Sequence, residues 1–206
     1  MKTTREYWAD PAWWRQALTN PTPPFQAADE RAGARPAAVL VPLIARANGV
    51  QVLLTRRSSR LRHHPGQVSF PGGAVEASDR SFEDTALRET GEELGIDRAD
   101  METLGTLPCH HTISGFDVTP VVGWLAANYQ FKAQTAEVDE AFEAPLAFFL
   151  DASNRHQRSV VWRGERRSYF EYRYQHHVIW GATAAMFDSL RQVVAQRDSG
   201  AKERTP

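Results

Sequence analysis

Two apolar runs of strand length, Ala37 to Ile44 and Val50 to Thr55, lie on either side of Asn48-Gly49. An Asn-Gly pair supplies the left-handed backbone that a tight hairpin turn needs, so an antiparallel pair of strands is the first element to which this chain commits. After Gly72-Gly73 the period changes. Leu87, Thr90, Gly91 and Leu94 recur at helical spacing, Ser81 or Asp79 can cap the start, and Gly95 follows as the stop. Glu102 to Leu107 and Val118 to Leu125 read as further strands, and Pro145 to Leu150 as a short helical or turn region. Val160 to Trp162 and Tyr169 to Tyr174 flank Arg163-Gly164-Glu165 as a second hairpin. Gly181 to Ala195 carries Ala182, Met186, Leu190 and Val193 or Val194 in a helical stripe. Near the start, Asp10-Pro11 ahead of Trp13, Trp14, Ala17 and Leu18 predicts a capped short helix whose role is packing. Strands, a helix, more strands and a closing helix imply an α+β fold, an α/β/α sandwich around a mixed β-sheet.

At 206 residues and 42% hydrophobic content the chain can bury one sizeable core. The expected organisation is a helix and linker arm over 1–34, one domain over 35–197 and a polar tail over 198–206. The 24 basic and 25 acidic residues leave a formal net charge of -1, which offers no global attraction for nucleic acid or an acidic membrane, so neither is expected as a partner. Nearly all the positive charge is arginine, the lysines being Lys2, Lys132 and Lys202, and the planar guanidinium suits bidentate phosphate binding. A single cysteine, Cys109, excludes an internal disulfide and is expected as a buried, inert thiol. With no apolar signal core at the N-terminus and no membrane-length apolar run, the expected location is cytoplasmic.

The densest chemical signal is Arg88-Glu89-Thr90-Gly91-Glu92-Glu93-Leu94-Gly95-Ile96. On a helix Glu89, Glu92 and Glu93 stand at i, i+3 and i+4 and share one face, with Leu87, Thr90 and Leu94 opposite. Like charges so placed oppose the helix by ~0.2–0.5 kcal/mol per pair, so the face is either well solvated or holds a cation. Hard oxygen donors without His or Cys among them point to Mg2+ or Mn2+. The preceding loop, Phe70-Pro71-Gly72-Gly73, offers backbone able to approach a ligand closely, and a phosphate-bearing molecule could lie between it and the metal. The pairs His63-His64 and His110-His111 read as packing or solvent residues, because adjacent side chains in a strand point to opposite faces. Glu137, Asp139, Glu140 and Glu143 read as a solvated loop or helix start.

Gly73, Arg88-Glu89, Glu92-Glu93 and Gly95-Ile96 resemble the Nudix box. The spacer before Arg88 is one residue longer than the general pattern, which leaves the first Glu of the box without a clean match; Asp79 and Glu76 lie near it, and neither takes a role. Upstream, Leu53-Leu54-Thr55-Arg56-Arg57-Ser58, Arg62, Gly66 and Phe70-Pro71-Gly72-Gly73 resemble the signature of the coenzyme A pyrophosphatase branch of that family, every fixed position being satisfied. The resemblance implies a Nudix-like sandwich and metal-dependent hydrolysis of the pyrophosphate of coenzyme A, a small-molecule substrate, to 4′-phosphopantetheine and adenosine 3′,5′-bisphosphate.

It also implies the site. Glu89 and Glu93 are the first metal ligands, both expected within reach of solvent, and Glu92 is a third ligand or the base that orients water. Arg88 pins a carboxylate of the cluster, so Glu92 and Arg88 are the candidate catalytic residues, with Glu140 as an alternative base. Arg57 and Arg62, with Gly72 and Gly73, are candidate substrate-binding residues, since coenzyme A carries a 3′-phosphate besides its pyrophosphate. The alternatives are hydrolysis of ADP-ribose or another nucleoside diphosphate derivative, and a Nudix-fold nucleotide sensor that does not cut. The sequence leaves assembly open, with a homodimer as one option.

Overall fold

The first hairpin forms β1 (Arg35–Arg46) and β2 (Gly49–Arg57) in a computed structural model that describes residues 7–18, 33–132, 136–162 and 164–202. Arg46 pairs with Gly49, so the two turn residues are Ala47 and Asn48, and Gly49 takes the positive φ one place later than the Asn-Gly reading expects. The strands β3 (Val68–Ser69) and β4 (Gly72–Ala74) follow, then α2 (Phe82–Leu94), β5 (Met101–Thr106), β6 (His110–His111) and β7 (Phe116–Leu125). Ahead of all of these lies α1 (Pro11–Ala17), with Asp10 accepting the Ala12 amide at 2.9 Å and Trp14 fully buried, as its sequence predicts.

Eight strands share one sheet, in the order β3-β2-β1-β7-β5, with β4 also on β1, β6 on β7, and β8 (Val138–Pro145) on β2. The β1–β7 pairing is parallel and the others antiparallel, which makes the sheet mixed. A second sheet holds β9 (His156–Trp162), β10 (Glu165–Tyr174) and β11 (His177–Trp180). A short α3 (Leu146–Leu150) and the closing α4 (Ala182–Lys202) complete the fold. The expected α+β architecture with a mixed sheet is the observed one.

Strand alternation divides the core in two. Leu40, Ile44 and Leu53 face α2 and pack with Phe82, Ala86, Leu87 and Leu94. Val41, Leu43, Val52 and Leu54 face the other way, toward Tyr172, Ile179, Phe149 and Phe187 of the second layer. Three readings change. Residues Asp139, Glu140 and Glu143 belong to a strand paired with β2, where Arg56 of β2 partners Asp139 and Glu140 and Arg46 at the end of β1 partners Glu143. The helix α4 continues through 198–202, where a polar tail was expected. Cys109 is half-buried beside His111 and Asp117 rather than buried. The arm over 19–32 and the turn residue Arg163 lie outside the described residues. No described helix is long and apolar enough to cross a membrane.

Candidate metal centre

Ser81 caps α2 by accepting the Asp84 amide at 3.2 Å, and Gly95 ends it at φ 64°. The helix therefore runs unbroken beneath the three glutamates. Gly73 of β4 lies directly against Glu89. A Cβ there would come within 2.5 Å of the Glu89 carboxyl carbon, so only glycine leaves that carboxylate its place. Gly72 has a different reason. Its φ of +152° and the 2.4 Å between a built Cβ and the Ala38 carbonyl show that it is glycine in order to pack β4 on β1.

The carboxylates differ sharply in environment. Glu92 is exposed, Glu89 is partly buried, and Glu93 keeps only 6% of its side-chain surface. Solvent-reachability of both proposed first ligands thus fails for Glu93, because α2 presses that side chain toward Gly72, whose N–H approaches it at 3.4 Å. Burial pushes the Glu93 carboxyl up to about 8, opposed by Arg57 and reinforced by Glu89. Burial likewise raises Glu89, against the pull of Arg88. A carboxyl held protonated by desolvation, with Arg57 only partly offsetting it, is a donor that a divalent cation would ionise. The all-oxygen donor set fits such an ion of the hard class.

Arg88 spends all five of its N–H donors here. They reach Asp79 Oδ1 at 2.9 Å, Asp79 Oδ2 at 3.0 Å, Glu89 at 3.0 Å, Glu92 at 3.0 Å and the Ala74 carbonyl at 3.1 Å. Asp79 is the residue that sequence reasoning left without a role. It also accepts from the Thr85 hydroxyl and the Glu76 amide, both at 2.8 Å, while Glu76 itself stays exposed.

The structure brings Arg57, Arg88, Glu89, Glu92, Glu93, Gly72 and Gly73 together. Arg57 Nη1 stands 3.9 Å from Glu93, and its Nε is buried without a hydrogen-bond partner. Arg62 is not brought in; it is exposed on the loop between β2 and β3. Glu140 is also elsewhere, on the face of β8 that points away from α2 and bound to Arg56 at 3.1 Å. Glu137, read from the sequence only as part of a solvated acidic run, lies near enough to the carboxylate helix for its charge to contribute to raising both Glu89 and Glu93. It sits just before β8, and only the pairing of β8 with β2 reveals it.

A NUDIX domain model matches residues 34–162. The chain is 41% identical over 180 residues to a protein of Photorhabdus laumondii named uncharacterized Nudix hydrolase NudL, covering 87% of this chain and 94% of that one. It is 42% identical over 163 residues to the protein of the same name from Citrobacter koseri, covering 79% and 84%. The crystal structure of RenU, a Nudix hydrolase from M. smegmatis, superposes with a TM-score of 0.56 at 19% identity, over 80% of this chain and 88% of that one. With more than half of the chain under the domain model, and relatives above 40% identity along most of its length, the chain belongs to the Nudix family.

Proposed function

We propose that this protein hydrolyses the pyrophosphate bond of coenzyme A or its derivatives, giving 4′-phosphopantetheine and adenosine 3′,5′-bisphosphate. One observation carries the reading furthest. Arg57, a residue of the upstream motif that resembles the coenzyme A branch, reaches the carboxylate helix and keeps a buried Nε–H without an acceptor. The rest of the guanidinium keeps part of its surface open beside the carboxylate helix, and that cationic face can meet a phosphate oxygen. Arg62, exposed on the loop of the same motif, is free to meet a second phosphate farther from the helix.

In this reading Glu89 and Glu93, with Glu92, hold Mg2+ or Mn2+, which supplies charge neutralisation at the pyrophosphate and lowers the pKa of water. Arg88 is a positioning residue, since two of its five bonds fix Glu89 and Glu92 and the other three tie it to Asp79 and Ala74. Glu92 keeps 58% of its side chain exposed and can orient an attacking water. Gly73 leaves the room in which Glu89 stands.

A panel of coenzyme A, dephospho-coenzyme A, ADP-ribose and dinucleoside polyphosphates, each with Mg2+ and with Mn2+, tests the proposal. Coenzyme A should be cleaved fastest, with loss of activity on chelation. Clearly higher catalytic efficiency on ADP-ribose would defeat the coenzyme A assignment. Tight nucleotide binding without cleavage under either metal would point to a sensor instead.

A further inference from the structure

Gln175-His176 is the two-residue turn between β10 and β11, with Tyr174 paired to His177 and Gln175 at a left-handed φ of 52°. In a regular strand consecutive side chains diverge to opposite faces. This turn instead lays the His176 and His177 rings side by side, with centroids 3.9 Å apart. Both then face Glu140 on β8. The Glu140 Oε1 atom lies 3.5 Å from His177 Nε2 and 3.8 Å from His176 Nε2, and the three ligand atoms lie within 4.8 Å of one another.

Those separations exceed the usual ~2.7–3.2 Å of a hydrogen bond. They sit close to the spacing set by a tetrahedral ion, whose bonds of about 2.0–2.1 Å to His and carboxylate hold the donor atoms roughly 3.3–3.4 Å apart. From this convergence we infer a second metal site, formed by Glu140, His176 and His177 and suited to a borderline divalent ion of the Zn2+ class. Two imidazoles and one carboxylate select such an ion over the hard cations that an all-oxygen helix face prefers.

The surroundings are built for it. Glu140 Oε2 is held by Arg56 Nε at 3.1 Å, which leaves Oε1 directed at the imidazoles. Arg56 is also paired with Asp139 at 3.3 Å, so one positive charge faces two negative ones and the locality remains attractive to a cation. His177 is buried and stacked on Phe142 at 3.8 Å between centroids, which fixes the plane of its ring beside Glu140. His176 and His177 also line a cleft of about 420 Å3 together with Arg56, Gln67 and Trp180, which gives an ion a path in from solvent. Glu140 shares its face of β8 with Phe142 and Ala144, which pack into the second-layer core, whereas the carboxylate helix packs on the other side of the sheet. The inference is therefore independent of the proposed function.

The test uses the full chain, stripped with chelator and kept in saturating Mg2+ so that hard-cation sites are filled. Zn2+ is titrated against a chromophoric chelator, and Co2+ is added separately to read its visible d–d bands. One equivalent of Zn2+ should bind, and His176→Ala and Glu140→Gln should each weaken it at least tenfold and remove the Co2+ spectrum. His176 carries the decision because it is exposed and its loss leaves the core intact, whereas His177→Ala removes a stacked core residue. His176→Ala should keep whatever Mg2+-dependent hydrolysis the wild type shows. Wild-type binding no tighter than millimolar, or affinity unchanged in both variants, overturns the site. Zn2+ binding lost only in Cys109→Ser overturns it as well, by moving the ion to Cys109, His111 and Asp117.

Discussion

Arg88 meets Asp79 through two near-parallel contacts, Nε to Oδ1 at 2.9 Å and Nη2 to Oδ2 at 3.0 Å, across nine residues of chain. The same guanidinium holds Glu89 and Glu92, so the loop before α2 and the carboxylate face form one rigid unit. Asp79 keeps only 3% of its side-chain surface. Its Arg88 hydrogen bonds hold it at about 2, below its ordinary 3.8.

A carboxylate with a depressed folded-state pKa contributes stability that is present above its unfolded value and lost as pH falls through its folded one. Asp79→Asn should therefore cost roughly 2 kcal/mol at neutral pH. It should also flatten the acid limb of the stability profile between pH 3.8 and about 2. Denaturant melts across that range read both effects. Equal acid limbs in the variant and the wild type would show that Asp79 is not the partner that matters.

Glu93 has the opposite sign. Its raised carboxyl stays protonated in the folded chain between 4.5 and about 8, where the unfolded chain has lost the proton, so metal-free stability should fall as pH rises through that window. Glu93→Gln mimics the protonated acid. Thermal melts of metal-free protein should show that slope removed and stability at the alkaline end increased. An unchanged slope would count against the burial argument.

Turnover should respond the other way. Glu89→Gln and Glu93→Gln should each lower kcat by roughly a hundredfold or more, because Lewis-acid stabilisation is worth several kcal/mol. Near-normal turnover at saturating Mg2+ in either folded variant would place the metal elsewhere.

The two glycines of the Phe-Pro-Gly-Gly loop should separate cleanly. In Gly73→Ala the new methyl meets the mobile end of Glu89, so activity should drop while the melting temperature changes little. In Gly72→Ala the methyl meets the backbone of Ala38 and Val39 and the φ is unfavourable, so stability should fall by roughly 1–3 kcal/mol or more. Paired melts and kinetics on both variants distinguish them, and equal melting temperatures would refute the distinction.

Arg57 and Arg62 should divide the substrate. Arg57→Ala should slow coenzyme A and dephospho-coenzyme A alike, since Arg57 stands beside Glu93. Arg62→Ala should act on coenzyme A alone and narrow the gap between the two by on the order of tenfold to a hundredfold, the worth of a lost charge-assisted contact of ~1.5–3 kcal/mol. If kcat/KM for both substrates is untouched by Arg62→Ala, that arginine does not read the 3′-phosphate.

Local periodicity determined a good part of this protein. The i, i+3, i+4 spacing of Glu89, Glu92 and Glu93 puts them on one helix face whatever packs nearby, Gly95 ends the helix through its own φ, and the apolar runs around Asn48 pair because their turn is short. Tertiary structure alone decided what crosses long distances. Asp79 takes Arg88 because the lengthened spacer folds back to it, and no count of residues shows how a loop returns. The burial of Glu93 depends on how closely α2 lies on β4. Glu137, Asp139, Glu140 and Glu143 look alike as a string of acids. The pairing of β8 with β2, some eighty residues upstream, gives Glu140 to Arg56 and leaves Glu137 beside the carboxylate helix. Side-chain period is a property of the backbone, but partners and desolvation are properties of what the rest of the chain brings alongside.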